Sequence, residues 1–115
     1  TFFSSTGATG VEGTNGKDAA WCAYSAETGP GSPVTVVIFD APSNARHPVP
    51  WFTMTESFAY LSDSQAIGAK PVALAVGQSF VLRAAIAVIT GKADGARIGQ
   101  LFGELTRDLG WEGKK

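Results

Sequence analysis

The chain has little of what metal sites and disulfide frameworks require. Its 115 residues include a single cysteine, Cys22, and a single histidine, His47. One cysteine excludes an internal disulfide framework. One cysteine with one histidine also falls short of the ligand set of a structural zinc site. We therefore expect neither a metal nor another cofactor.

Charge and long apolar runs are also scarce. Charged residues make up 17% of the chain, and the net charge is −1. Without a basic stripe we expect no nucleic-acid partner. The longest mostly apolar stretch, residues 79–90, contains Arg83 and is too short to cross a bilayer as a helix, so we expect no membrane partner. The low charge instead suggests that part of the surface meets another protein segment.

The length of the chain suits one domain over residues 1–115. The first five residues show neither an initiator methionine nor the pattern of a signal peptide. We expect a piece of a longer protein, and the cytoplasm is the favoured location.

Residues 1–18 are rich in glycine, serine and threonine. Gly7, Gly10, Gly13 and Gly16 recur every three residues. A phosphate-binding loop would need a strand before these glycines and a helix after them, and the pattern shows neither. The composition therefore predicts a flexible loop.

The strands are predicted within residues 19–90. Residues 19–25 and 33–40 are rich in aromatic and β-branched side chains, and a turn-rich link joins them into a β-hairpin. The second run is apolar on both faces, which predicts a strand covered on both sides. Further strands are predicted at 51–55, 58–61, 71–76 and 79–90. Strands in succession, without helices between them, favour an antiparallel sheet.

The period changes near the C-terminus. Asp94 suits a helix cap, apolar residues then repeat at helical spacing, and Gly110 suits the position after the last turn. We predict a helix over residues 94–109. The predicted fold is mainly β, a partial antiparallel β-sandwich with one C-terminal α-helix.

The block Val36-Val37-Ile38-Phe39-Asp40-Ala41-Pro42-Ser43-Asn44-Ala45-Arg46-His47-Pro48-Val49-Pro50-Trp51 resembles the signature of the PmoA-like family. Members of that family are often labelled methane oxygenase PmoA and otherwise form a domain of unknown function. The resemblance implies a sandwich-like fold and a longer protein, so that this chain is the C-terminal portion and its partner is the missing N-terminal half. It also implies an association with sugar-related oxidoreductases.

Two departures stand out within the resemblance. The family usually has histidines where this chain has Ala41 and Phe52. If those histidines carry chemistry in relatives, this copy is altered. The methane oxygenase label itself does not suit a chain with one histidine and no apolar run of about 20 residues.

The loop from Asp40 to Phe52 is the candidate site. His47 is the candidate acid/base, because histidine ordinarily changes charge near neutral pH. Asp40, at the end of a buried strand, is the second candidate catalytic residue, since a buried carboxylate needs partners.

Three further residues of the loop are candidate ligand-binding residues. Arg46 and Asn44 offer hydrogen bonds to hydroxyl or carboxylate groups, and Trp51 offers a stacking face. This combination suits a carbohydrate ligand.

Two alternatives remain open. The loop could be structural only, with Arg46 paired to Asp40 and Trp51 in the core. The whole domain could be a non-catalytic structural module that completes a sandwich with the missing half. The sequence does not decide whether the protein is an enzyme.

Overall fold

A computed structural model describes residues 1–65 and 70–111 of the chain. The fold is mainly β, with antiparallel sheets and a C-terminal helix, as predicted. The strands are β1 Phe2–Ser4, β2 Asp18–Ala19, β3 Trp21–Glu27, β4 Pro33–Asp40, β5 Val49–Pro50, β6 Phe52–Met54, β7 Tyr60–Ser62 and β8 Ala84–Thr90. The helices are α1 Gly10–Thr14 and α2 Gly95–Asp108. No helix within the described residues has the length and apolar character needed to cross a membrane.

Four strands form the central sheet, in the order β1-β3-β4-β8. β3 and β4 are the predicted hairpin, and their antiparallel register runs from Trp21 opposite Phe39 to Glu27 opposite Pro33. β8 then pairs antiparallel with β4, so that Asp40 lies opposite Ala84. The site loop therefore leaves β4 at the end where β8 begins.

The helix α2 covers one face of this sheet. Alternate residues of β3 and β4 point towards it, as the period of a strand requires. The core on this side consists of Trp21, Ala23, Val37, Phe39, Ala41, Ala93, Ile98 and Trp111, and α2 adds the partly buried Leu101, Phe102 and Leu105. Ile98, Leu101, Phe102 and Leu105, which recur at helical spacing in the sequence, therefore form the face of α2 that packs against the sheet.

Both ends of α2 are capped as the sequence predicts. The Asp94 carboxylate accepts a hydrogen bond from the Arg97 backbone N–H at 2.9 Å, which satisfies one free donor of the first turn. At the other end Gly110 has φ 68°, a left-handed conformation that glycine adopts without a steric cost. The N–H groups of Gly110 and Trp111 bond back to the carbonyls of Arg107 and Thr106, which is the Schellman arrangement.

The opposite face of the sheet is covered only in part. A second core of Ala19, Cys22, Val49 and Trp51, with Ile38 and Leu61 packed against it, lies on this side. Cys22 is fully buried. The small sheets β2–β5 and β6–β7 contribute to this layer and give a sandwich-like arrangement.

Beyond this second core, β8 exposes two apolar side chains that we call the open strip, Ile86 at 68% and Val88 at 69% exposure. Val36 of β4, which pairs with Val88, is only half-buried. The expectation that β4 is covered on both sides is therefore wrong for its outer residues. The sheet continues beyond the layer that covers it.

The glycine-rich start differs from its prediction as a flexible loop. It holds β1, which pairs with β3, and the short helix α1. Thr14 is buried, donates from Oγ1 to the Gly10 carbonyl at 2.7 Å, and its Oγ1 lies 2.9 Å from that of Thr53. Contacts distant in sequence thus order a segment whose composition alone suggests mobility.

The predicted strand at 71–76 is absent from the structure, and the one at 79–90 is shortened to β8. Gly77, at φ 88°, and Gln78 turn the chain between these two segments, and the Gln78 N–H bonds to the Ala75 carbonyl. The arms on either side pair with no strand among the described residues. Their apolar residues Leu74, Val76, Val81 and Leu82 are exposed. A β-forming composition does not make a strand without a neighbour to pair with.

Candidate functional site

Asp40 is the centre of the candidate site. It ends β4 and is 0% exposed. Its Oδ1 accepts hydrogen bonds from Asn44 Nδ2 and Gln65 Nε2, each at 2.7 Å. Its Oδ2 lies 2.7 Å from His47 Nδ1. These partners satisfy the need of a buried carboxylate for hydrogen bonds.

Successive turns in the loop bring His47 back to Asp40. The N–H of Ala41 bonds to the Arg83 carbonyl, that of Asn44 to the Ala41 carbonyl, and that of His47 to the Asn44 carbonyl. The His47–Pro48 peptide bond is cis. The backbone hydrogen bonds of Ala41, Asn44 and His47 thus hold the loop in a compact reversal.

Asn44 holds the loop against the start of β8. Besides its bond to Asp40, its Nδ2 donates to the Arg83 carbonyl at 2.7 Å, and its Oδ1 accepts from the Arg83 N–H at 2.8 Å. Asn44 is also buried. Its amide is fully used inside the protein, so its predicted role as a ligand-binding residue does not fit this position.

Arg46 does not pair with Asp40. Its guanidinium donates from Nη1 to the Gln65 carbonyl at 2.9 Å and from Nη2 to the Pro71 carbonyl at 3.4 Å. The structural alternative that paired Arg46 with Asp40 is thus not what the structure shows, because His47 takes that place. Arg46 instead fastens the segment that carries Gln65.

Trp51 lies in the second core. It is 1% exposed, and its indole Nε1 donates to the Ala19 carbonyl at 2.9 Å. A ring buried on both sides offers no face to a ligand. The stacking role predicted for Trp51 therefore does not fit its position, whereas the alternative that placed it in the core does.

His47 is partly exposed and reaches the surface of the protein. Its side chain is 16% exposed, and its ring stacks on Phe102 of α2 with centroids 6.3 Å apart and planes at 15°. Nδ1 faces Asp40, and Nε2 has no hydrogen bond within the described residues, nor is it among their buried unpaired atoms. A carboxylate only accepts, so the neutral imidazole donates from Nδ1 and leaves the Nε2 lone pair free. That nitrogen can accept a hydrogen bond or a proton from a hydroxyl group.

Sequence reasoning missed Asp63 and Gln65. Gln65 is 1% exposed, and its Nε2 donates both to Asp40 Oδ1 and, at 2.8 Å, to Asp63 Oδ1. Burial first, and the neighbouring Asp40 carboxylate second, raise the pKa of Asp63 to about 7. Gln65 Oε1 is buried and finds no partner within the described residues. Both residues follow β7 in a segment without any motif, so no local pattern signals their contact with Asp40.

Within residues 1–65 and 70–111 no group of three or more His, Cys, Asp or Glu side chains is arranged to hold a metal ion. A cavity of about 810 Å³ lies elsewhere, lined in part by Phe3, Lys92 and Asp94, and the Asp40 cluster is not part of its lining. Asp94, which caps α2, already occupies the helix N-terminus there.

Comparison with models of protein families places the chain in a family. Residues 1–103 match DUF6807, which is described as a family of unknown function. Nothing in this match links the chain to PmoA or to methane oxygenase, so the resemblance to the PmoA-like family stays a prediction. Searches of the curated proteins and of the solved structures found no match.

Proposed function

The chain belongs to DUF6807, a family of unknown function, and we propose from the site geometry that it binds a hydroxyl-bearing ligand of the carbohydrate class at His47. The observation that carries this proposal is the 2.7 Å contact between His47 Nδ1 and the buried Asp40 Oδ2. Asp40 orients the imidazole, and Nε2 accepts from a ligand hydroxyl.

An aspartate behind a histidine is the arrangement by which proteins fix an imidazole for general acid/base work. Here the aspartate is fully buried and bonded to two amides besides the histidine. Phe102 stacks on the ring and restricts its rotation. A side chain on an ordinary surface loop does not need its orientation fixed by so many contacts. The fixed orientation of the His47 ring therefore favours a role in binding or proton transfer.

Exposed aromatic rings on the β6–β7 hairpin support the carbohydrate class. Phe52, Phe58 and Tyr60 are all exposed, and Tyr60 contacts the other two rings edge-on at 5.5 and 6.1 Å. The second strand of this hairpin runs directly into Asp63 and Gln65 of the cluster. Flat exposed rings next to a few fixed polar groups are typical of sugar-binding surfaces. In this proposal Phe52 and Tyr60 take the stacking role that Trp51 cannot.

The test follows the imidazole signals of the chain in NMR spectra during titration with a panel of mono- and oligosaccharides. His47 is the only histidine, so these signals are unambiguous. We expect a sugar that binds to shift them and to give calorimetric heat. His47→Ala and Tyr60→Ala should each weaken that binding at least tenfold. Glu12→Ala, a change of an exposed residue outside the cluster, is the matched control.

If no saccharide in the panel moves the His47 signals, the carbohydrate proposal is wrong. Equal affinity of the wild type and His47→Ala would also contradict it, because the ligand would then bind somewhere else. Calorimetric heat of binding without any shift of the imidazole signals would likewise show that the ligand binds away from His47.

A second candidate function, a structural module within a larger sandwich, is favoured by the open strip. Ile86 and Val88 stand exposed beside half-buried Val36, on the face that a second sheet covers elsewhere. In this proposal further polypeptide of the same protein covers these residues. The isolated chain should then bind a hydrophobic dye or self-associate, and the double variant Ile86→Ser/Val88→Ser should lose much of that signal. A monomeric chain that binds no dye would contradict this function.

A further inference from the structure

We infer that Asp63 is a positioning residue of the His47 site, acting on the imidazole through the Gln65 amide and the Asp40 carboxylate. The inference rests on the proposed function for the role of His47. It goes beyond that function by assigning control of the site to a residue outside the Asp40 to Phe52 loop.

The four residues form one continuous hydrogen-bonded chain. His47 contacts Asp40 Oδ2, Asp40 Oδ1 accepts from Gln65 Nε2, and the same Nε2 donates to Asp63 Oδ1, with distances of 2.7, 2.7 and 2.8 Å. An amide nitrogen has two hydrogens, so the Gln65 side chain can satisfy both carboxylates at once. The bridge cannot adjust to one carboxylate without changing its bond to the other.

The backbone around Gln65 is held for this bridge. Gln65 has φ 58°, in the left-handed region that residues other than glycine rarely adopt. Arg46 donates to its carbonyl at 2.9 Å and fixes the segment from the other side. An unfavourable backbone conformation at a fully buried amide is maintained by the contacts around it, which indicates that the contacts matter.

Among the described residues, the hydrogen bonds of the cluster bring few charged groups near Asp63. The charged or titratable groups of the cluster are Asp40 from β4, His47 and Arg46 from the loop, and Asp63 itself. The Arg46 guanidinium is turned to the carbonyls of Gln65 and Pro71, so the hydrogen bonds of the described residues do not bring it to either carboxylate.

Ionisation of Asp63 should therefore change the balance between the protonated and neutral forms of His47. Burial and the Asp40 carboxylate raise the pKa of Asp63 to about 7, so this carboxyl group changes charge near neutral pH. When Asp63 loses its proton, a second negative charge stands one amide away from Asp40. That charge favours the imidazolium form of His47 over the neutral form. Asp63 thereby influences how readily His47 offers a free Nε2 lone pair.

The experiment is an imidazole titration of the ligand-free chain by NMR. In Asp63→Asn the position becomes neutral at all pH values, and we expect the His47 titration to move to lower pH by about half a unit to one unit. Asp63→Glu should restore most of the wild-type curve. Gln65→Ala should remove the effect of Asp63 on the His47 titration. If Gln65→Ala does not fold, Asp63→Asn alone still tests the inference. Asp108→Asn, an exposed acid of α2, is the matched control and should leave the curve unchanged.

A His47 titration that is the same in the wild type and in Asp63→Asn would overturn the inference. The measurement needs no ligand, so it fails separately from the proposed function. If Asp63→Asn shifts the His47 titration but no saccharide binds, only the proposed function is wrong. If a saccharide binds but Asp63→Asn leaves the His47 titration unchanged, only this inference is wrong.

Discussion

Asp40 is the residue on which the stability of the site loop depends. It is fully buried and joins β4 to His47, Asn44 and Gln65 through three hydrogen bonds. We predict that Asp40→Ala lowers the free energy of unfolding by about 3 kcal/mol, because buried donors lose their acceptor. Urea unfolding at pH 7 measures this change.

Asp108→Ala provides the comparison for Asp40→Ala. Asp108 is exposed, and its ion pair with Arg107 at 3.7 Å lies in solvent. We expect a change below about 0.5 kcal/mol at this position. If Asp40→Ala were as mild as Asp108→Ala, the hydrogen bonds to Asp40 would contribute little to the fold.

We predict that Asp63 makes the stability of the protein depend on pH. Its folded-state pKa of about 7 lies above the ordinary value of an aspartate, so the folded chain binds the proton more tightly than the unfolded chain. This contribution is present below about pH 4 and is lost as the pH rises through 7. We expect a loss of about 1–2 kcal/mol between pH 5 and 8, reduced by solvent at this half-buried group.

Asp63→Asn should remove most of that slope. Thermal unfolding of the wild type and the variant at a series of pH values from 4 to 8 provides the comparison. Parallel curves for the two proteins would show that Asp63 is not the source of the pH dependence.

At the residue scale the sequence indicates part of the site. The end of a buried strand and a single histidine are local signals, and they predict Asp40 and His47, which the structure brings together. Asp63 and Gln65 give no such signal, because only the path of the chain after β7 brings them to Asp40. Trp51 is ambiguous in the sequence, since an aromatic residue after a proline-rich loop suits a surface or a core equally well.

At the scale of elements, α2 is the best predicted part of the chain because its caps and its apolar face are encoded locally. Gly110 is the clearest example. We predict that Gly110→Ala destabilises the protein by about 1 kcal/mol, since alanine is strained at φ 68°. Thermal unfolding by circular dichroism is the measurement.

Gly103→Ala is the matched control and should act in the opposite direction. Gly103 lies inside α2 with nothing within 4 Å of an added Cβ. We expect a gain of about 0.5–1 kcal/mol from helix propensity. If both alanine variants changed stability in the same direction, the left-handed conformation of Gly110 would not explain its effect.

The strands are predicted less evenly than the helix. The β3–β4 hairpin has a local turn and forms as expected. The apolar arms on either side of Gly77 have the composition of strands but lack a neighbour among the described residues. Local sequence reports what a segment prefers, whereas a strand also needs a partner whose position the segment does not encode.

At the scale of the molecule, one sheet serves two cores. Adjacent residues of β3 point to opposite faces, so Trp21 belongs to the core under α2 and Cys22 to the core around Trp51. Neither core can separate from β3 without disturbing the other. We therefore expect the domain to unfold as one cooperative unit.

Because Cys22 lies on β3 between the two cores, the rate at which its thiol reacts reports how often the sheet opens. Cys22 is fully buried, and burial raises its pKa to about 12, so the folded state offers no reactive thiolate. An aromatic disulfide reagent at pH 8 should label one thiol per chain at a rate set by transient exposure of β3. Weakening either core should quicken that rate, and immediate labelling of the native protein would contradict the buried position.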